Sequence, residues 1–275
     1  MAIITLTTDY GNKDYSVSSL KAKLISEIDD ITIVDITHDI SPFNLAEAGY
    51  VLEGAFSEFP KGTIHILSVD SELTPENKHI AIMYDGSFFI GADNGVFSLI
   101  FRDKKPDQIV EINLHSNYNY DISADELFVK VASHINRSGP LNVVGSEIDT
   151  IKEITNLRPV INKEMNQIIG SVIYIDNYGN VVTNITEKLF KEISKTRPFT
   201  INARNVKFSK IHKNYSDAID FNLEKKDREE DGKKIALFNN LGYLQLSVYR
   251  SNPQTVGSAS TLFGLNYRDA VSVYF

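Results

Sequence analysis

Residues 175–185 read IDNYGNVVTNI, an acid, an aromatic and amides set on an apolar frame. Burying isoleucine and valine does not require that polar set, and its chemistry suits a small, flat ligand such as a base or an amino-acid head group. The frame reads as a strand, a turn at Tyr178, Gly179 and Asn180, and a second strand on β-branched Val181, Val182, Thr183 and Ile185. Asp176, Tyr178 and Asn180 alternate, which in extended chain puts all three on one face, although the glycine turn interrupts that regularity. A second polar set lies at the opposite end of the chain, in IITLTTDYGNKDYSVSSLKAKL at residues 3–24. Ile3, Ile4 and Leu6 read as a buried strand, Asp9 falls where it ends, and Gly11 opens a loop. Asp14 and Ser16 then stand at the head of a helix whose apolar face is Val17, Leu20, Leu24 and Ile28. Ligands of open α/β sheets bind beside the carboxyl ends of strands, so Asp9 is placed for chemistry. For Asp14 and Ser16 the competing role is helix capping.

The elements that must position these residues change character along the chain. Up to residue 146 strands near 3–8, 31–36, 63–69, 79–84, 87–91 and 109–112 alternate with helices near 16–28, 44–57 and 125–137. That alternation predicts an α/β fold, a layered N-terminal domain over residues 1–160 with a mostly parallel sheet. Beyond it the helical signal fades, apart from a segment near 187–195, and strands recur between turn residues, so residues 161–275 read as a β-rich second domain. The run EKKDREEDGKK at 224–234 mixes both signs and reads as a solvated loop.

Composition bounds the function. A chain of 275 residues, 42% hydrophobic, can bury a large core. It has no cysteine, which excludes disulfides and thiolate metal sites. His38, His65, His79, His115, His134 and His212 show neither HxxxH nor HExxH spacing, and no metal or cofactor is expected. His38 beside Asp39 reads as a polar pair ending a strand, and His134 as a cation at a helix C-terminus. No GxGxxG or P-loop pattern occurs, and Ser123 lacks a GxSxG context. A net charge of −8 without a basic stripe argues against nucleic acid as a partner. The Met-Ala-Ile-Ile start carries no basic, signal-like stretch and no apolar run approaches membrane length, so a cytoplasmic protein with no membrane partner is expected.

The two polar segments, taken together, resemble the S-adenosyl-L-methionine hydroxide adenosyltransferase family, which also contains the fluorinases and chlorinases. VDITHDISPFNLAEAGYVL (34–52), FPKGTIHILSVD (59–70), ADNGVFSLI (92–100), LFVKVASHINRSGPLNVVG (127–145) and NNLGYLQLSV (239–248) follow in family order at similar spacing. The resemblance implies an N-terminal α/β/α domain followed by a small antiparallel β-barrel. It also implies a homotrimer whose pockets lie between the N-terminal domain of one subunit and the C-terminal domain of the next. By the same resemblance Asp9 holds the ribose diol and Phe43 lies against the nucleoside. Asp14, Ser16 and Asp176 receive the methionine ammonium and carboxylate, Tyr178 stacks on adenine, Asn180 reads its polar edge, and Asn240 is a carboxylate partner.

The nucleophile region departs from the family pattern. Hydroxide-transferring members carry an Asp, an Arg seven residues later in a VDPGVGTERR-type loop, and a His in a TFHGRD-type segment. Here the loop reads VDSELTPENKH and the segment DISADE, which keeps Asp70 but puts Asn77 at the Arg position, with Lys78 beside it, and Ser123 at the His position. The Tyr and Thr of the fluorinase loop fall on Asp70 and Leu73, and an anionic Asp70 repels halide. The expected activity is hydrolysis of S-adenosyl-L-methionine to adenosine and methionine by water attack at the 5′ carbon, with Asp70, Asn77 and Ser123 as the catalytic candidates. Two other readings stand beside it: a non-catalytic protein that binds the same molecule or adenosine, and an adenosyltransferase that uses another nucleophile.

Overall fold

The computed structural model describes residues 2–102, 104–115, 121–155 and 157–275. They form two compact units, Met1–Ile154 and Thr155–Phe275. In the first, the chain runs β1 (Ala2–Thr8), α1 (Ser16–Glu27), β2 (Ile31–Thr37), α2 (Leu45–Phe56), β3 (Ile64–Ser68), β4 (His79–Tyr84), β5 (Ser87–Ala92), α3 (Val96–Phe101), β6 (Gln108–Ile112), α4 (Ala124–Asn136) and β7 (Gly145–Glu147). The strands join in the order β2-β1-β3-β5-β4-β6-β7. Pairings among β2, β1, β3 and β5 are parallel, whereas β4 runs against both β5 and β6. Asp85 and Gly86 explain that reversal: both have positive φ, 49° and 74°, the backbone of a two-residue primed turn that folds β4 directly back as β5.

Alternation along the strands builds two cores, one on each face of this sheet. Ile4, Leu6, Ile64, Ile66, Ala81 and Val110 pack with Leu20 and Leu24 of α1 and Leu127 and Phe128 of α4. Leu67, Ile80, Ile82, Phe89 and Ile109 face the other way, onto Ala48 and Leu52 of α2 and Val96 and Phe97 of α3. The result is the α/β/α layering expected from the sequence. Helix α3 had no sequence signal, because VFSLIF is six residues without polar spacing and has no helical period to read.

The second unit contains β8 (Val160–Ile161), β9 (Gln167–Ile175), β10 (Val181–Thr186), α5 (Glu187–Ser194), β11 (Thr200–Ala203), β12 (Val206–Phe208), β13 (Lys234–Phe238), β14 (Tyr243–Val248), α6 (Ala259–Phe263) and β15 (Ala270–Tyr274). The order is β12-β11-β15-β9-β10-β14-β13, with β8 on β9, and every strand pairing is antiparallel. A bridge from His212 to Leu237 brings the chain after β12 against β13 at the opposite edge, so the sheet curls into a nearly closed barrel. Val172, Val181, Ile201, Ala236, Leu246 and Val271 fill its interior. Thr186 accepts from the Leu189 amide to start α5, whose Phe190 and Ile193 join the same core.

Candidate functional site

Strands β1 and β3 are parallel neighbours in register, Thr8 beside Ser68, so Asp9 and Asp70 emerge from the same sheet edge. They line one cleft of about 310 Å³ together with Tyr10, Phe43 and Ser71. Asp9 Oδ2 accepts the Phe43 amide N–H at 2.9 Å. Phe43 has φ 62°, an unusual backbone for a bulky residue, and is 71% exposed, so its ring faces solvent while its amide holds Asp9. Asp70 also has positive φ, 47°. Its backbone is held from behind: the buried Asn94 amide donates to the carbonyls of Val69 at 3.0 Å and Asp70 at 3.1 Å. The short ADNG segment thus serves as a brace for the β3 terminus.

Behind the cleft lies a polar network that sequence reasoning did not find. The Tyr10 hydroxyl is 2.7 Å from both Ser68 Oγ and Asp125 Oδ1, Ser68 Oγ is 3.1 Å from the same carboxylate oxygen, and Ser71 Oγ is 2.9 Å from Ser68 Oγ. Burial, then the Asp125 charge, push the Tyr10 phenol above its ordinary range, so it stays a donor. Asp125 is far from the others in sequence and no local spacing marks it. Ser71 is held by its backbone as well, its carbonyl accepting from His79 Nε2 at 2.8 Å. Burial lowers the His79 pKa to about 4, which keeps that imidazole neutral.

The remaining N-terminal candidates are more dispersed. Asp14 Oδ1 accepts the Ser16 amide at 2.9 Å, and that bond, with the Ser16 hydroxyl, holds the carboxyl below its usual range. The N-cap of α1 is Tyr15, which makes no side-chain cap, so neither Asp14 nor Ser16 occupies the capping position itself. Ser123 does cap a helix: its hydroxyl accepts the Glu126 amide at 3.3 Å at the head of α4. It also lines a second cavity, of about 760 Å³, with Thr74, Lys78 and His115. Asn77 is in neither wall, and its Oδ1 accepts from Lys152 Nζ at 3.2 Å. Of these two cavities Asp70 lines the first and Ser123 the second, and Glu72 lines both. His38 also differs from the sequence reading: its carboxylate neighbour is Asp35 at 3.1 Å, and its Nδ1 lies 2.8 Å from Thr8 Oγ1. Asp39 instead accepts from Asn12, because the chain turns outward after β2.

In the second unit the 175–185 segment is the β9–β10 hairpin. Asp176 Oδ1 accepts the amides of Tyr178 and Asn180, both at 2.9 Å, and Oδ2 accepts Asn180 Nδ2 at 2.7 Å. The turn thus breaks the alternation: Asp176 and Asn180 close on each other while Tyr178 stands 65% exposed. Asn180 Oδ1 is buried with no hydrogen-bond partner among the described residues, an acceptor left for a donor from elsewhere. Asp176 also raises the pKa of Tyr215, after the larger effect of burial, and the Tyr215 hydroxyl accepts from Gln245 Nε2 at 2.7 Å and lies 3.2 Å from Ser247 Oγ. Gln245 and Ser247 lie in the NNLGYLQLSV segment, which did not single them out, and Tyr215 lies outside every segment that carried the resemblance. Asn240 is elsewhere: β14 pairs Leu246 with Val181 and Tyr243 with Thr186, which puts the β13–β14 tip at the opposite end of β10 from the 176–180 turn.

Gly179 is the tightest point of that turn. It has φ 73°, and a Cβ there would meet the Ser258 side chain inside van der Waals contact. Gly179→Ala should therefore lower unfolding stability by about 2 kcal/mol or more, from left-handed strain plus steric overlap. Urea denaturation measures it, and an unchanged midpoint would show that the turn relaxes freely.

Among the described residues no group of three or more His, Cys, Asp or Glu side chains converges on a metal position, and no helix is long and apolar enough to cross a membrane. Carboxylates at adjacent strand ends of a three-layer α/β unit, followed by a curled antiparallel β unit with a polar hairpin, define a two-unit α/β protein with small-ligand chemistry. Family models for the SAM hydroxide adenosyltransferase N-terminal and C-terminal domains match residues 4–145 and 170–272. The chain belongs to the S-adenosyl-L-methionine hydroxide adenosyltransferase family. It is 29% identical to a protein of Methanocaldococcus jannaschii named (R)-S-adenosyl-L-methionine hydrolase, covering 99% of this chain and 96% of the relative. A fluorinase of Actinopolyspora mzabensis is 22% identical over 66% of this chain and 71% of its own. A crystal structure of an uncharacterized conserved protein from Thermotoga maritima superposes with a TM-score of 0.79 at 25% identity, covering 99% of this chain and all of that one.

Proposed function

We propose that the protein hydrolyses S-adenosyl-L-methionine to adenosine and L-methionine by attack of water at the 5′ carbon. The observation that carries this reading is the cleft itself, in which Asp9, pinned by the Phe43 amide, and Asp70 stand together at the ends of β1 and β3. Asp9 accepts the ribose hydroxyls, a task for an acceptor-only carboxylate, and the exposed Phe43 ring lies against the nucleoside. Asp70 takes a proton of the attacking water. The sulfonium is already activated, so the protein has to exclude bulk solvent and align water with the C–S bond; the C5′–O bond forms as the C5′–S pair leaves on methionine sulfur. No cofactor or metal is required by this chemistry.

The second half of the site is the 176–180 hairpin, with the exposed Tyr178 ring stacking on adenine and the unpartnered Asn180 Oδ1 accepting from its exocyclic amine. Asp14, Ser16 and Asp176 take the methionine head group, Asp176 with the lone pairs left by its turn bonds. Asn240 stays a candidate carboxylate partner in the assembled oligomer, and Asn77 and Ser123 act on the water indirectly, through the loop and helix they anchor. The working form in this proposal is a cytoplasmic homotrimer whose pockets join the N-terminal unit of one subunit to the C-terminal unit of the next. The alternative, a binding protein for the same molecule, is favoured by Asn77 and Ser123 standing where hydroxide-transferring relatives carry Arg and His. Purified protein given S-adenosyl-L-methionine should release adenosine and methionine in equal amounts, followed by chromatography, and should be trimeric by light scattering. Binding by calorimetry without adenosine release would make it a binder, and a monomer with full affinity would remove the shared pocket.

A further inference from the structure

We infer that the Ser71 hydroxyl is a second hydrogen-bond acceptor for the attacking water, with its polarity set from behind by Asp125. This inference rests on the hydrolase reading and adds a residue to it. Asp125 Oδ1 is a carboxylate oxygen and only accepts. The Tyr10 hydroxyl, kept protonated by burial, gives its hydrogen to that oxygen at 2.7 Å. Ser68 has one hydrogen and three oxygens within reach of it, Tyr10 at 2.7 Å, Ser71 at 2.9 Å and Asp125 at 3.1 Å. Giving it to Ser71 would leave the 2.7 Å contact between Tyr10 and Ser68 without a hydrogen, so the arrangement that fills the three shortest contacts has Ser68 donate to Tyr10 and Ser71 donate to Ser68. The Ser71 hydrogen thus points away from the cleft that its residue lines. Only lone pairs face the ligand side.

Nucleophilic water needs this arrangement. With one hydrogen on Asp70 and the other on Ser71 Oγ, a water molecule has its free lone pair fixed toward C5′ and cannot turn a hydrogen to the sulfonium. The Ser71 backbone is fixed by His79 Nε2 on its carbonyl, so the acceptor is aimed as well as polarised. Ser71 touches the water, while Ser68, Tyr10 and Asp125 are positioning residues. During the reaction the C5′–S pair leaves on methionine, the C5′–O bond forms, and the released proton passes to Asp70. Ser71 keeps its own hydrogen.

The test is steady-state hydrolysis of S-adenosyl-L-methionine by the full-length protein, with adenosine affinity and thermal unfolding measured on every variant. Ser71→Ala should lower kcat about tenfold or more at nearly constant KM, because orientation is lost and binding is not. Ser71→Thr, which keeps the hydroxyl, should recover most of it. Asp125→Ala removes the acceptor that sets the direction and should lower kcat like Ser71→Ala, whereas Asp125→Asn keeps an acceptor oxygen and should lose much less. Tyr10→Phe leaves Ser68 its direct bond to Asp125 and should lose less than Asp125→Ala. Turnover that survives both Ser71→Ala and Asp125→Ala overturns the assignment and leaves the hydrolase reading standing. Folded wild-type protein that binds S-adenosyl-L-methionine without cleaving it overturns both.

Discussion

Asp9→Ala should weaken adenosine binding by about 2–4 kcal/mol, between roughly thirtyfold and a thousandfold, while the protein stays folded. The cost is large because two ribose hydroxyls lose one charged acceptor at the moment they leave water. A second effect adds to it. Asp9 Oδ2 also accepts the Phe43 amide, and that bond offsets the left-handed strain at φ 62°, so the substitution frees the aromatic wall to leave its position. The Phe43 amide lies at an exposed turn where water replaces the lost acceptor, which limits the loss of global stability to about 1 kcal/mol. Asp9→Asn separates the two effects, since its remaining oxygen can still hold the amide but takes fewer ribose hydrogens. Isothermal titration with adenosine reads the affinity and thermal unfolding the control. Equal affinity in wild type and Asp9→Ala would take Asp9 out of the site.

How much of this was legible in the sequence follows from how local each feature is. The β1 strand and the Asp9 that ends it were readable because a buried-strand run, its acid and the following helix sit within two dozen residues. The face Val17, Leu20, Leu24 and Ile28 is buried as the 3.6-residue period required. The Asp176–Asn180 turn was readable as a turn, but its internal bonding was not, since alternation assumes extended chain and Gly179 ends that assumption. At Ser123 the sequence also held a helix-capping pattern that was not read: its hydroxyl accepts the Glu126 amide, a local need of α4 that a Ser-x-x-Glu segment meets. Tyr10, Ser68, Ser71 and Asp125 converge only because β1, β3 and α4 are adjacent in three dimensions, and a pattern spread over more than a hundred residues has no spacing rule.

Asp70→Asn should lower adenosine release by about 10²–10³ or more at saturating S-adenosyl-L-methionine. The substitution is unusually clean. Asp70 sits at φ 47°, and Asn is among the few residues that tolerate the left-handed region, so the backbone that Asn94 braces is kept. Shape and volume are also kept. What changes is the charge and one acceptor: the amide nitrogen donates where the carboxylate accepted, and it cannot take the proton of the attacking water. Asn77 holds Lys152 and Ser123 caps α4, so neither residue at the family's Arg and His positions is a base that replaces the lost carboxylate. Adenosine affinity should change little, because the ribose is held by Asp9, and the separation of rate from binding identifies Asp70 as a group acting on water. Rapid turnover that persists in Asp70→Asn would place water activation elsewhere, and the second cavity with Lys78 and His115 would then be the next region to probe.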